Sequence, residues 1–207
     1  MIKESLQYIN RQSRMCDLDG KPTTYTIHET QNYKAYAQNE RDNLQNNEGI
    51  ASFHSVVDHT QVIRCIPFNR GAHHSGTFRG NRTSISLEIC SSSLSHSFNK
   101  TWDNAVEVVA HDLILLGLTV DDLRQHCDWS GKDCPKLIRK RNLWGAFKKE
   151  VKKRMEELKK PNNCSFPDAQ KWVKEKGISD GTNPKEPVTR EQVWAMMYRA
   201  FMKGVYK

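Results

Sequence analysis

No apolar run in this chain approaches the roughly 18 residues needed to span a bilayer, and hydrophobic residues make up only 37% of its 207. Both features predict a soluble protein with no membrane attachment. The opening Met1-Ile-Lys-Glu-Ser has no basic stretch followed by an apolar core, so no Sec-type leader is expected. An even, tight cysteine framework is also missing. The six cysteines, at 16, 65, 90, 127, 134 and 164, are scattered and read as reduced thiols, one of them a metal ligand. Neither a base-reading motif nor an aromatic platform is present, which argues against nucleic acid as a partner.

What is present is one core plus an appendage. The length suits a domain of about 150 residues with a small module left over. A catalytic domain is expected over residues 1–160, a linker over 161–165 and a helical module over 166–207. The net charge is +8, and residues 136–160 hold eleven Lys and Arg against three Glu, a surplus equal to that of the whole chain. The basicity therefore sits on one element, a face suited to a polyanion such as a wall teichoic acid, or simply to solvent.

Along the chain, residues 1 to 22 read as polar and turn-rich, followed by a strand over Thr23–His28. A helix is expected around Ala35, Tyr36 and Leu44. Ile50–Asp58 and Gln61–Ile66 then predict a hairpin about His59-Thr60. In Thr83–Cys90 the alternation of Ile85, Leu87 and Ile89 leaves Glu88 on the opposite face with Ser84 and Ser86. From Trp102 to Gly117 apolar residues recur with a period near 3.6, which marks a core-facing helix. A short helix is expected over Val120–Arg124, a loop over His126–Pro135 and a last helix over Leu143–Lys159. Thr189 with Gln192 forms a capping-box pattern in the C-terminal module.

The chemistry gathers around His126–Pro135. His126 and Cys134 carry donor atoms that suit zinc, and the Trp129-Ser-Gly131 turn between them can bring the two side chains together. Two ligands do not make a site, and spacing alone does not select a third from eight histidines. His28, at a strand end, would complete two imidazoles and a thiolate, leaving a fourth position for water and a net charge of about +1. Glu88 could then move protons and Lys132 stabilise an oxyanion. That is equipment for amide hydrolysis.

Five segments carry a resemblance. Tyr25-Thr-Ile-His28, Ser52-Phe-His-Ser-Val-Val-Asp58, Ala72-His-His-Ser-Gly76, Asn81-Arg-Thr-Ser-Ile-Ser-Leu-Glu-Ile-Cys90 and His126–Pro135 resemble, in order, the motifs of the type-2 zinc N-acetylmuramoyl-L-alanine amidases. That family includes phage endolysins and is related to the peptidoglycan recognition proteins. The resemblance covers about residues 20 to 158. It implies an α/β fold with a mixed central β-sheet flanked by helices, zinc held by His28, His126 and Cys134, and Glu88 and Lys132 as catalytic residues. Phe53, His54 and His74 would line the substrate groove. Several relatives carry a catalytic Tyr where this chain has Phe53, so Glu88 should carry the proton transfer.

Residues 166 to 202 resemble one S-layer-homology module through Phe166, Asp168, Trp172, Gly177, Asp180-Gly181, Pro187–Glu191 and Arg199-Ala-Phe201. Such modules bind secondary wall polymers, usually as a set of three, so wall binding by this one would call for oligomerisation. The combined expectation is an endolysin that acts on peptidoglycan. It would be made in the host cytoplasm and reach the wall after release. The alternatives are an autolysin of the same activity and a peptidoglycan-binding protein without catalysis.

Overall fold

A computed structural model describes residues 2–159, 166–183 and 185–204, in two compact units, Met1–Leu158 and Lys159–Lys207. The linker expected at 161–165, and with it Cys164, lies outside the described residues. The other five cysteines are free thiols.

The first unit runs β1 (Lys3–Leu6), β2 (Met15–Cys16), β3 (Thr24–Glu29), α1 (Ala37–Asn46), β4 (Ser55–Val57), β5 (Gln61–Arg64), β6 (Gly71–Ala72) and α2 (Phe78–Thr83). It continues with β7 (Ser84–Ile89), α3 (Ser91–His96), α4 (Phe98–Leu116), β8 (Leu123–Gln125), α5 (Cys127–Ser130), α6 (Lys136–Lys140) and α7 (Trp144–Lys159). Six strands form one sheet in the order β1-β5-β4-β7-β3-β8, parallel except where β4 meets β5. This is the mixed α/β sheet flanked by helices expected from the sequence.

Strand alternation gives the sheet two different faces. Tyr25, Ile27, Ile85, Leu87 and Ile89 pack with Val106, Val109, Leu113, Phe147 and Val151 of α4 and α7 in one core. Val56 and Ile63 join Ala37, Leu44 and Phe53 in a second core on the other side. A buried Arg64–Asp112 pair, with nitrogen–oxygen distances of 2.6 and 2.8 Å, ties β5 to α4, and the Tyr25 hydroxyl donates to the same carboxylate at 2.7 Å. On β3 and β7, the face that carries Val56 on β4 presents Thr26, His28, Ser84, Ser86 and Glu88.

Several elements depart from the sequence expectation. Val120–Arg124 is not a helix: a single 3-10 turn over Val120–Asp122, capped by Thr119, feeds directly into β8, whose backbone bonds the free edge of β3. In the expected Ile50–Asp58 strand only Ser55–Val57 enters the ladder. Ser52 instead donates its N–H to His73 O and its hydroxyl to Arg14 O. The segment after His126 contains the short helix α5, and α4 begins at Phe98, four residues before Trp102.

The second unit contains α8 (Phe166–Glu175) and α9 (Arg190–Met202). Thr189 caps α9: its hydroxyl accepts from Gln192 N, and Gln192 Oε1 accepts from Thr189 N at 2.8 Å. Arg199 reaches back to donate to Ile178 O at 2.6 Å.

Candidate metal centre

Parallel pairing of β3 with β7 sets His28 directly across from Glu88. Side chains of paired residues share a face, so ligand and carboxylate stand together at the end of both strands. The second histidine arrives from β8, one strand further along, which ends at Gln125 just before His126. Its segment is fastened to β3 by the Trp129 indole N–H, which donates to Thr26 Oγ1 at 2.9 Å. Gly76, at φ +75°, lies so close to the segment that an added Cβ would stand 3.2 Å from Ser130 Cβ. Cys134 is fixed by Glu29, whose backbone N–H donates to Sγ at 3.3 Å. The Glu29 carboxylate accepts from Leu137 N and Ile138 N at 2.8 and 2.9 Å, holding the start of α6. Nothing in the sequence pattern had marked Glu29 for this.

His28, His126 and Cys134 are all buried, and one donor atom of each lies within 4.8 Å of the others. Nδ1 of His28 is 2.9 Å from Nδ1 of His126 and 3.9 Å from Cys134 Sγ. Zinc–ligand bonds of about 2.0–2.3 Å in a tetrahedron separate their donor atoms by roughly 3.3–3.7 Å, so the cluster is of the right size for such an ion.

The protons on the rings argue for a cation as well. His74 Nε2 lies 3.2 Å from Ser84 O, a carbonyl that can only accept, so this nitrogen carries hydrogen. Neutral His74 therefore offers a bare Nδ1 to His28 Nε2 at 3.1 Å, and His28 is the donor there. That leaves the His28 Nδ1 lone pair free and aimed at His126. His126 makes its own hydrogen bond to the Ser75 backbone, and its Nδ1 faces that lone pair at 2.9 Å. Neither ring takes a proton readily: burial, then the charges of His74, His126 and Lys132, hold His28 well below the usual imidazole range. Burial and Lys132 bring His126 to about 4. The Cys134 thiol is pushed up to about 12, chiefly by burial and then by Glu88. Metal ligation is what would make it a thiolate.

The cluster opens into a cavity of about 920 Å³ lined by His28, Glu88, His126, Lys132 and Cys134 together with Phe53, His74 and Glu40. Glu88 Oε2 has no hydrogen-bond partner among the described residues, and burial, followed by the nearby Glu40, pushes the carboxyl up to about 8. Lys132 is exposed, and its charge reaches Glu88 and both histidine ligands. Phe53 and His74 line the cavity. His54 does not: it is fully buried, accepting from Ser86 N at Nδ1 and donating to Arg70 O at Nε2, and burial lowers its pKa to about 4. The reason is packing, since the Cys65 and Ile66 amides both bond His54 O and draw this residue beneath the sheet face. Asn81, in the fourth motif, accepts from His74 N, Ser75 N and the Ser75 hydroxyl at 2.9–3.0 Å and so holds the His74 loop in place.

Comparisons with known proteins agree with this geometry. Residues 18–137 match the family model described as N-acetylmuramoyl-L-alanine amidase. The chain is similar to the N-acetylmuramoyl-L-alanine amidase CwlA of a Bacillus species, 38% identical over 165 residues that cover 78% of this chain and 65% of the relative. It is also similar to the amidase XlyB of Bacillus subtilis (strain 168), 39% identical over 134 residues, covering 63% of this chain and 42% of the relative. The chain thus spans less than two thirds of the length of these curated relatives. Among solved structures, PlyL superposes with a TM-score of 0.66 at 35% identity, over 74% of this chain and 98% of PlyL. The PlyG catalytic domain superposes at 0.68 and 33%, over 78% of this chain and all of that domain. With the family model matched across more than half of its length, this chain belongs to the N-acetylmuramoyl-L-alanine amidase family.

Proposed function

We propose that the protein is a zinc-dependent amidase that hydrolyses the amide between the lactyl group of N-acetylmuramic acid and L-alanine in peptidoglycan. The observation that carries this reading is the Glu88 carboxyl standing across the β3–β7 ladder from a buried His-His-Cys cluster in one cavity. Zinc in that cluster supplies a Lewis acid that polarises the scissile carbonyl and acidifies water. His28 and His126 would hold the ion through their facing ring nitrogens, and Cys134 would supply the one anionic ligand. Glu88, with its free Oε2, takes the proton from the attacking water and delivers it to the departing alanine nitrogen. Lys132 directs its ammonium at the oxygen of the carbonyl under attack, where negative charge develops. No hydroxyl is available from Phe53, so the proton path runs through Glu88 alone.

Amidase relatives from Bacillus support a Gram-positive wall as the target; an endolysin role, with action at the wall after release from the cytoplasm, is part of the same proposal. The second unit is a wall-polymer-binding module in this reading, on the strength of its resemblance to a single S-layer-homology module.

The test is on purified protein with Gram-positive walls, following new amino groups and new reducing sugars. Release of N-terminal alanine without reducing sugar, lost on chelation and restored by zinc, is expected. Walls that bind the protein in zinc-replete buffer yet release no amine would replace the amidase with recognition alone.

A further inference from the structure

Opposite the metal ligands, the cavity is bounded by α1 through Glu40, Asn43 and Leu44, with Asn47 just past the helix end. Glu40 stands apart from its neighbours. It is only 7% exposed, Asn32 donates to its carboxyl, and Oε1 has no hydrogen-bond partner among the described residues. Burial raises its pKa, and the Asn32 bond is the one influence opposing that rise, so no cation compensates the charge. Asn32 and the first turn of α1 account for one side of the carboxyl, but an unpartnered buried carboxylate oxygen costs more than a neutral one, and Oε1 is left without such compensation. Capping of α1 is done by other groups: Asp58 Oδ2 accepts from Ala37 N at 3.0 Å and Asn39 Oδ1 from Tyr36 N at 3.0 Å.

We propose that Glu40 is a specificity residue whose free Oε1 receives an ammonium group of the substrate's peptide, at a subsite of the cavity beside the metal cluster. This rests on the amidase reading, in which the peptide leaving the scissile bond occupies the cavity. An ammonium is favoured over a neutral amide N–H because charge-assisted hydrogen bonds are roughly twice as strong. It would also neutralise a buried carboxylate beside which no ion pair is seen among the described residues. Peptidoglycan stem peptides contain a diamino acid, and its side-chain amine is the group of that chemistry.

The probes are the tripeptide L-alanyl-γ-D-glutamyl-L-lysine and its Nε-acetylated form, titrated calorimetrically into the zinc-loaded full chain. Wild type should bind the free amine about 10- to 100-fold more tightly than the acetylated form. Glu40→Gln should bind the two alike, and on walls its KM should rise. Equal affinity of wild type for the two peptides overturns the proposal, and that comparison stands even if the variant does not fold. Discrimination that survives in Glu40→Gln overturns it too. Should the peptides be discriminated while walls release no amine, the amidase reading fails and the ammonium subsite stands.

Discussion

His28 and His126 meet Nδ1 to Nδ1 at 2.9 Å, and His28 has already given its other nitrogen to His74. A cation between them and Cys134 would take up the lone pair this leaves on His28 Nδ1. Zinc should therefore stabilise the fold as well as serve the chemistry. One ion per chain is expected by atomic absorption, and saturating zinc at a hundredfold over its dissociation constant should add about 2.7 kcal/mol of stability. A His126→Ala variant should lose that increment in thermal melts; if it melts with wild type at every zinc concentration, the cluster is not the site.

His74 acts on the metal through His28. By accepting from His28 Nε2 it fixes the tautomer that leaves Nδ1 free to ligate. His74→Ala should weaken zinc affinity or activity by about 10- to 100-fold, as is usual for such supporting partners. Zinc titration with a competing chelator would show this. Unchanged affinity and unchanged turnover would reduce His74 to a packing residue.

Glu88 and Lys132 should separate chemistry from metal binding. Glu88→Gln is expected to keep one zinc per chain and lose about 10²- to 10⁴-fold in kcat. For Lys132→Met a loss of roughly 10²- to 10³-fold is expected, the scale of one oxyanion donor. Amine release from walls, with zinc content measured on the same preparations, checks both. Loss of zinc in either variant would mean that the residue helps to hold the ion.

Acid should loosen the fold through His54. Burial lowers its pKa from about 6.5 in the unfolded chain to about 4. The unfolded state thus binds the proton first, so stability present above pH 6.5 is lost as pH falls toward 4. A single such group contributes up to about 1.4 kcal/mol per pH unit. His54→Gln should flatten the pH dependence of urea unfolding in that window by about one proton. An unaltered slope would assign the acid sensitivity to other groups.

The periodic strands and the long helix α4 were legible in the sequence because their apolar residues face one core. Tyr25, Ile27, Ile85, Leu87 and Ile89 show the required spacing on their own. Elements that owe their existence to a distant partner were not. β1, Lys-Glu-Ser-Leu, is largely exposed and forms only because β5 offers an open edge, and β8 exists only because β3 does. The ligand set was legible through its motifs rather than its spacing. Glu29, which holds the cysteine arm by backbone bonds, and Glu40, on a helix whose other face enters a core, leave no such trace. His54 shares its motif with Phe53, but its ring is taken up by Ser86 N and Arg70 O, partners that no spacing in the sequence reveals.

The pairing of His28 with Glu88 is a matter of strand register, and it divides the chain into rigid and permissive parts. Loops between the two residues can be lengthened or shortened without altering how the pair is aligned. A single residue inserted within either strand would turn ligand and carboxylate to opposite sides of the sheet. Grafting a new specificity loop onto this fold is therefore a problem of joining at strand ends, and the interiors of β3 and β7 should be left intact.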